Sequence, residues 1–186
     1  MNKREFLKLM GLATTGMACH MSARAQQTQS VYVPPNLLWL RRANEQMQIN
    51  YSTTEGYRAL QYFLRDVRAN RVGHPDFRLV QTLSWIQAWL ALYGHHVCFN
   101  VLSGLRTFAT NSTTEGAAQN SLHLPDERGM FKAIDYRAPG IPSNYLAQVT
   151  ARLQQGGVGF YQRDFLHTDT GAVVGKNEHN RIWTGQ

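Results

Sequence analysis

Cysteine is scarce in this chain, with two residues among 186. Cys19 lies near the start, where it resembles a lipoprotein signal that lacks the usual leucine three positions upstream. Cys98 stands by itself in the rest of the chain, so no internal disulfide is expected there. A chain of this length buries enough apolar surface to fold without a disulfide or a structural metal. We therefore predict that Cys98 is a small buried hydrophobe in a strand.

Long apolar runs are also missing, because nothing after the start approaches the roughly 20 consecutive apolar residues that a transmembrane helix needs. The first 25 residues combine a basic head at residues 3–8, a short apolar segment at residues 9–21 and an Ala-x-Ala pattern at residues 23–25. This order predicts an export signal, residues 1–25, that is removed before Gln26. The head resembles a twin-arginine (Tat) signal with lysine in the first arginine position. We expect a periplasmic or otherwise exported protein with no integral membrane segment.

Acidic side chains number 12 against 19 basic ones, which gives a net charge of +7. The first 25 residues carry four basic side chains and one acidic side chain, so the exported chain would have a net charge of +4. A mildly basic protein suits an anionic polymer such as a bacterial cell wall. The sequence shows no aromatic-basic ladder and no recognition helix, and we expect no nucleic-acid partner.

The rest of the chain is predicted to hold one domain that begins with helices. Residues 26–35 are polar and end in two prolines, which indicates a flexible leader, and residues 36–186 show no shift in composition. Apolar residues at three-to-four spacing predict a helix over residues 54 to about 69. A second helix opens at residues 75–76 and ends at Gly94. It presents one apolar stripe: Leu79, Leu83, Ile86 and Leu90.

After these helices the apolar period changes to two, which predicts β-strands. Four strands are expected, at residues 97–102, 132–136, 158–161 and 165–169. A polar loop is expected over residues 107–119, and Ser143 begins a further helix that two glycines at residues 156–157 end. The chain is therefore predicted to be an α+β domain, with N-terminal helices packed on a small, largely antiparallel sheet.

Three residues in the second half of the chain are candidates for chemistry. Asp135 lies in an apolar strand-like segment, where an ionised carboxylate loses hydration and needs a partner or a metal. His123 precedes it in a polar loop, and His167 lies on a later strand. Two histidines and one carboxylate can form the ligand set of a catalytic zinc with an open fourth position. From spacing alone, buried His–Asp hydrogen bonding stays the simpler alternative.

Seven segments resemble, in order, the motifs of the YcbK-like murein endopeptidases. This family belongs to the zinc D-Ala-D-Ala peptidases, a group that also resembles the hedgehog signalling domain. The resemblance runs over residues 44–183 and implies a fold of the hedgehog or DD-peptidase type. The matching segments are residues 63–68, 103–107, 121–123, 132–135, 156–161, 165–171 and 181–183.

The resemblance implies specific roles for five residues. His123, Asp135 and His167 would hold one Zn²⁺ per chain. Arg106 would bind a substrate carboxylate or the developing oxyanion, a task that suits a permanently charged, forked donor. Ser121 matches a position that contacts the substrate peptide, although its hydroxyl can equally fix the loop before His123.

The implied reaction is metal-assisted hydrolysis, which needs a carboxylate to take a proton from water. Part of the wider group has a glutamate three residues before the last histidine ligand, and Asp164 occupies that place here. Asp169, two residues after His167, is the alternative, although it can instead orient a ligand. The sequence favours Asp164 only slightly.

The predicted function is cleavage of a peptide bond in peptidoglycan stem peptides or cross-links, as part of cell-wall remodelling. The alternatives are a D-Ala-D-Ala carboxypeptidase and an inactive relative that binds wall peptides or a protein partner. One departure from the family bears on this choice. Eleven residues, 124–134, separate His123 from Asp135, which is more than in the family. The extra residues, 125–129, are expected to form an enlarged turn beside the metal. If this insert keeps His123 and Asp135 apart, the metal site is lost.

Overall fold

The computed structural model describes residues 36–171 and 181–185. The expected export signal at residues 1–25 and the expected leader at residues 26–35 lie outside this range. None of the helices within the described residues is long and apolar enough to cross a membrane.

The described residues form nine strands and four helices, so the chain is a mixed helix-and-strand protein. The strands are β1 (Leu37–Arg42), β2 (Glu45–Asn50), β3 (His74–Pro75), β4 (Phe99–Ser103), β5 (Met130–Phe131), β6 (Ala133–Arg137), β7 (Val158–Tyr161), β8 (Phe165–Asp169) and β9 (Ile182–Gly185). The helices are α1 (Thr54–Phe63), α2 (Phe77–Leu92), α3 (Phe108–Ser112) and α4 (Ser143–Arg152).

Seven strands form one sheet in the order β2-β1-β4-β6-β8-β7-β9. Neighbours pair antiparallel except for β1 with β4 and β7 with β9, which pair parallel. The expectation of a largely antiparallel sheet is confirmed, but the sheet is larger than expected. β3 and β5 form a separate parallel pair.

The β1–β2 hairpin precedes the first helix of the described residues and was not predicted, so the expectation that the domain begins with helices is wrong. In β2 the apolar residues are limited to Met47 and Ile49, and only Ile49 is buried, so the sequence signal for this strand is short. The turn between the strands also lacks the glycine that usually signals a hairpin. Ala43 adopts the left-handed conformation there, with a φ of 52°.

Helix α1 ends at Phe63, earlier than the predicted end near residue 69. It begins at Thr54, as predicted, but the capping residue is Thr53, whose side chain accepts a hydrogen bond from the backbone N–H of Gly56 at 3.0 Å. At its end, Arg42 from β1 donates to the carbonyl oxygens of Phe63 and Arg65 at 2.9 and 2.8 Å. This tertiary contact satisfies the carbonyls at the helix end.

The other helices agree with the sequence in part. Helix α2 has its predicted cap at Asp76, which accepts from the N–H of Arg78 at 2.9 Å, and its apolar stripe is buried. Helix α4 begins at Ser143, but the capping residue is Pro142 and makes no side-chain cap. The predicted loop over residues 107–119 contains the short helix α3.

The core lies where the helices meet the central strands. Phe99 on β4 and Tyr136 on β6 are fully buried, and their ring centroids lie 4.7 Å apart. Leu166 on β8 extends this cluster. Cys98 precedes β4 and is half-buried, so its prediction as a buried strand residue is wrong.

Candidate metal centre

Strand pairing places two of the three candidate residues side by side. In the antiparallel pair β6–β8, Asp135 lies directly opposite His167. Residues opposite each other in such a pair project to the same face of the sheet, so their side chains meet. β4 lies on the other side of β6 and brings Ser103 opposite Asp135.

His123 reaches the same place from a loop, because the interval at residues 124–134, which contains the insert at residues 125–129, folds back on itself. The backbone N–H of Lys132 donates to the carbonyl of Leu122 at 2.8 Å and closes the base of the insert. At its tip, the carboxylate of Asp126 accepts from the N–H groups of Arg128 and Met130, both at 2.9 Å. The longer spacing therefore does not keep His123 and Asp135 apart.

The three side chains form one compact cluster. Oδ1 of Asp135 lies 3.2 Å from Nε2 of His123 and 2.9 Å from Nδ1 of His167. The two ring nitrogens are 3.3 Å apart. One potential ligand atom from each residue lies within 4.8 Å of the others. His123 and Asp135 are buried, and His167 is nearly so.

The remaining ring nitrogens are held by oxygen atoms outside the cluster. Nδ1 of His123 lies 2.6 Å from the carbonyl oxygen of Gly104, and Nε2 of His167 lies 3.1 Å from Oδ2 of Asp169. A ring that donates its N–H to such an oxygen keeps a lone pair on its other nitrogen, and both of those nitrogens face Asp135. Two imidazole lone pairs and one carboxylate are a donor set that fits zinc.

Burial and the mutual contacts set the protonation of these groups. Burial lowers the pKa of His123 below its ordinary value, although the Asp135 carboxylate acts against it. Burial alone would raise the pKa of Asp135, but His123 and His167 hold it well below its usual range. Burial alone would lower the pKa of His167, but its bonds to Asp135 and Asp169 raise it. Asp135 is therefore an ionised carboxylate that faces two rings.

Arg106 lies at the edge of this cluster. One Nη atom donates to Oδ2 of Asp135, and Nε donates to Oγ of Ser103 at 2.8 Å. The same carboxylate therefore faces the imidazoles through Oδ1 and the guanidinium through Oδ2. These contacts leave further N–H donors of Arg106 for a ligand, since a guanidinium carries five.

Asp169 is buried behind His167, and both of its oxygens are engaged. Oδ1 accepts from the N–H groups of Gly157 and Gly171 at 3.0 and 2.9 Å and from the guanidinium of Arg181. Burial alone would raise the pKa of Asp169, but its hydrogen bonds lower the pKa below its ordinary value. The carboxylate therefore holds Nε2 of His167 in a fixed direction.

The structure does not bring Asp164 into the cluster. Its side chain is exposed in the turn between β7 and β8, where its backbone adopts a φ of 56°. Arg137 anchors this turn by donating to the carbonyl oxygens of Arg163 and Asp164 at 3.0 and 3.2 Å. Ser121 also stays outside the cluster, and its Oγ accepts from the N–H of His123 at 3.3 Å.

The aromatic wall of the site was missed by the sequence analysis. The ring of Trp183 lies against His167 with 5.3 Å between centroids. A Cβ on Gly159 would lie 2.5 Å from the Trp183 ring, so only glycine admits the tryptophan there. Gly157, just before β7, and Gly159 within it were a visible signal for a close contact. The ring that Gly159 admits belongs to Trp183 on β9, a strand that pairs with β7 only in the tertiary structure.

An open cleft of about 440 Å³ leads away from Asp135. Its lining includes Arg106 and Ser103 together with residues of the segment after α1 and of α3. A buried His–Asp–His cluster that could hold a metal ion, placed at an open cleft, is compatible with a hydrolase.

Comparison with known proteins agrees with this class. Residues 34–175 match the family model described as "Peptidoglycan L,D-endopeptidase MepK". A relative from Haemophilus influenzae, named "Probable peptidoglycan L,D-endopeptidase MepK", is 32% identical over 197 residues, which cover 99% of this chain and 96% of the relative. No solved structure matches the chain. The chain belongs to the MepK family of peptidoglycan endopeptidases, and the resemblance noted from the sequence is confirmed.

Proposed function

We propose that this protein is a zinc-dependent peptidoglycan endopeptidase that acts in the periplasm or another exported location. The observation that carries the proposal is the cluster of His123, Asp135 and His167, whose potential ligand atoms converge from a loop and two strands. Family membership supports a peptidase with a peptidoglycan substrate. The relative's name specifies an L,D bond, and we propose the same class of bond for this chain.

In this proposal the three clustered residues hold one zinc ion. Zinc at such a site supplies a Lewis acid for the peptide carbonyl and lowers the pKa of a water molecule. Gly104 and Asp169 fix the two imidazoles, so that the ligand nitrogens need no reorientation. Trp183 packs on His167 and shields it from solvent.

Arg106 binds the substrate in this proposal and stabilises charge that develops on the reacting carbonyl oxygen. Its contacts to Ser103 and Asp135 hold the guanidinium beside the cluster, so the donor is already oriented when charge develops. Ser121 supports the loop that carries His123, which its hydrogen bond to that backbone favours.

Asp164 takes the proton from water in this proposal, and Asp169 orients His167. The full engagement of both Asp169 oxygens favours this division, because a carboxylate that already accepts four contacts is a poor proton acceptor. Asp164 is exposed and directly precedes Phe165, which lines the cleft, so the proposal requires the reacting water to lie on this side of the cluster.

The decisive experiment measures zinc content and peptidoglycan cleavage by the exported chain, from Gln26 onward, and by a His123→Ala variant. His74→Ala is the matched control, since His74 is exposed and contacts Gln61 instead of the cluster. We expect about one zinc per chain in the parent and the control, and loss of both zinc and cleavage in His123→Ala.

Mass analysis of the products identifies the reaction. Conversion of cross-linked dimers to monomers indicates endopeptidase action, whereas release of a terminal D-alanine indicates a carboxypeptidase. If the parent protein holds no zinc and cleaves nothing, the endopeptidase proposal is wrong. The alternative of an inactive protein that binds wall peptides would then take its place.

A further inference from the structure

The cleft beside Asp135 is rich in arginine, and its charged side chains differ in how many hydrogen bonds they make within the protein. Three arginines and two aspartates line it: Arg42, Arg68, Arg106, Asp66 and Asp135. Each aspartate already accepts from groups of the protein, and Asp135 also faces two imidazoles. The cleft therefore offers unsatisfied cationic donors but no unsatisfied carboxylate.

Two of the three arginines are held by the protein itself. Arg42 donates to two backbone carbonyls at the end of α1, and burial lowers its pKa from the ordinary value. Arg106 donates to Ser103 and Asp135. Both guanidinium groups are therefore fixed in position by contacts inside the protein, and Arg106 is fixed beside the cluster.

Arg68 differs from both. Its side chain is exposed, and among the described residues its hydrogen bonding is limited to Oγ1 of Thr114 at 3.5 Å, the outer limit for such a bond. Thr114 donates its own hydroxyl to the carbonyl of Thr110 at 2.7 Å, so its oxygen is turned to accept from Arg68. The threonine thus aims the guanidinium without consuming its donors.

We propose that Arg68 is a specificity residue that binds a free carboxylate of the peptide substrate, an assignment that rests on the proposed endopeptidase function. A guanidinium with most of its N–H groups unengaged matches a carboxylate in a two-point contact. Because Arg68 and Asp135 line the same cleft, a peptide anchored at Arg68 extends toward the cluster. The preferred substrate is a peptide with an acidic group close to the cleaved bond.

The test compares two cross-linked muropeptide dimers, one with its carboxylates free and one with them converted to primary amides. We expect the wild-type protein to cleave the free dimer with a kcat/KM about 10-fold higher, which is the contribution of one charge-assisted contact. Arg68→Ala should lose this preference through a higher KM for the free dimer. Its zinc content and its activity on the amidated dimer should be unchanged, because Arg68 does not contact the metal cluster.

Two further variants separate charge, geometry and general effects of mutation. Arg68→Lys keeps the charge without the fork and should restore part of the preference. Arg152→Ala removes an exposed arginine at the end of α4, away from the cleft lining, and should behave as wild type. If Arg68→Ala keeps the wild-type preference, the carboxylate is recognised elsewhere and the proposal is wrong.

Failure of the proposed function would look different. In that case the wild-type protein cleaves neither dimer, and calorimetric binding of the two dimers replaces kinetics as the readout. Binding of the free dimer that weakens about 10-fold in Arg68→Ala would support the carboxylate subsite without an endopeptidase. Equal binding of the free dimer by the wild-type protein and by Arg68→Ala would overturn the proposed carboxylate subsite.

Discussion

Asp169 presents Oδ2 to Nε2 of His167 at 3.1 Å, while its other oxygen is fixed by two backbone N–H groups and a guanidinium. The carboxylate lies two residues along the same strand, so β8 carries both a candidate ligand and the group that orients it. This relationship supports the proposal that Asp169 orients His167, and the contribution of Asp169 can be measured separately from that of Asp164.

The substitution Asp169→Asn should weaken zinc binding by about 10- to 100-fold, which is typical when a partner that orients a ligating histidine is removed. The asparagine side chain has the same shape as that of aspartate, but it lacks the negative charge that raises the pKa of His167. Competition with a chromophoric chelator measures the affinity, and circular dichroism checks the fold. Zinc affinity equal to that of wild type would contradict the assignment.

The substitution Asp164→Asn should leave zinc affinity unchanged, because the side chain is exposed and lies outside the cluster. If Asp164 takes the proton from water, kcat should fall about 10²- to 10⁴-fold. Steady-state kinetics with zinc in excess provide the measurement. Full activity of Asp164→Asn, together with inactivity of zinc-saturated Asp169→Asn, would transfer the proton-acceptor role to Asp169.

The substitution Gly104→Ala should damage both stability and zinc binding. A Cβ at this position would lie 2.4 Å from the carbonyl oxygen of Leu64, so the backbone must shift. The carbonyl of Gly104 holds Nδ1 of His123, and the shift therefore reorients a candidate ligand. We expect a loss of about 1–3 kcal/mol in the free energy of unfolding, measured by denaturant titration, and weaker zinc binding.

Gly116→Ala is the control for this prediction. Gly116 adopts a φ of 70°, but a Cβ there meets no atom within 4 Å. Its cost should come from backbone strain alone, and zinc affinity should not change. Equal zinc affinities of wild type and Gly104→Ala would show that His123 does not depend on this carbonyl.

The substitution Asp66→Asn should reduce stability at neutral pH and have little effect in acid. Asp66 is buried, and its carboxylate accepts from the N–H and hydroxyl of Thr107 at 2.7 and 2.9 Å and from the N–H of Ala69 at 3.2 Å. Burial alone would raise the pKa of Asp66, but these hydrogen bonds lower it below its ordinary value of 3.8. We expect a loss of about 1–3 kcal/mol in the free energy of unfolding at pH 7.

The sign of this pH dependence follows from the lowered pKa. Above pH 3.8 the carboxylate is ionised in both states and its contribution is complete. As the pH falls below 3.8, the unfolded chain takes up the proton first, so the contribution declines and vanishes below the folded-state pKa. Denaturant titrations at several pH values test this, and a difference between the proteins that stays constant into acid would contradict it.

Much of the second half of the fold was predictable because its signals are local. The strands at residues 158–161 and 165–169 were placed without error, since two short segments rich in apolar and aromatic residues flank a polar turn. Helix α2 was recognised from its cap and its stripe. The β1–β2 hairpin was missed because its outer strand buries only Ile49, and the end of α1 was misplaced because Arg42 caps it from a distant strand.

The sequence by itself determined the family and the candidate residues: the identities and order of His123, Asp135 and His167 match the motifs of a family of zinc peptidases. The tertiary structure decided whether they meet. Strand pairing aligns Asp135 with His167, and an insert that closes at its base returns the chain to the sheet beside His123. It also decided which groups hold the imidazoles and that Arg68 shares a cleft with Asp135. Such contacts join residues far apart along the chain, and no local pattern encodes them.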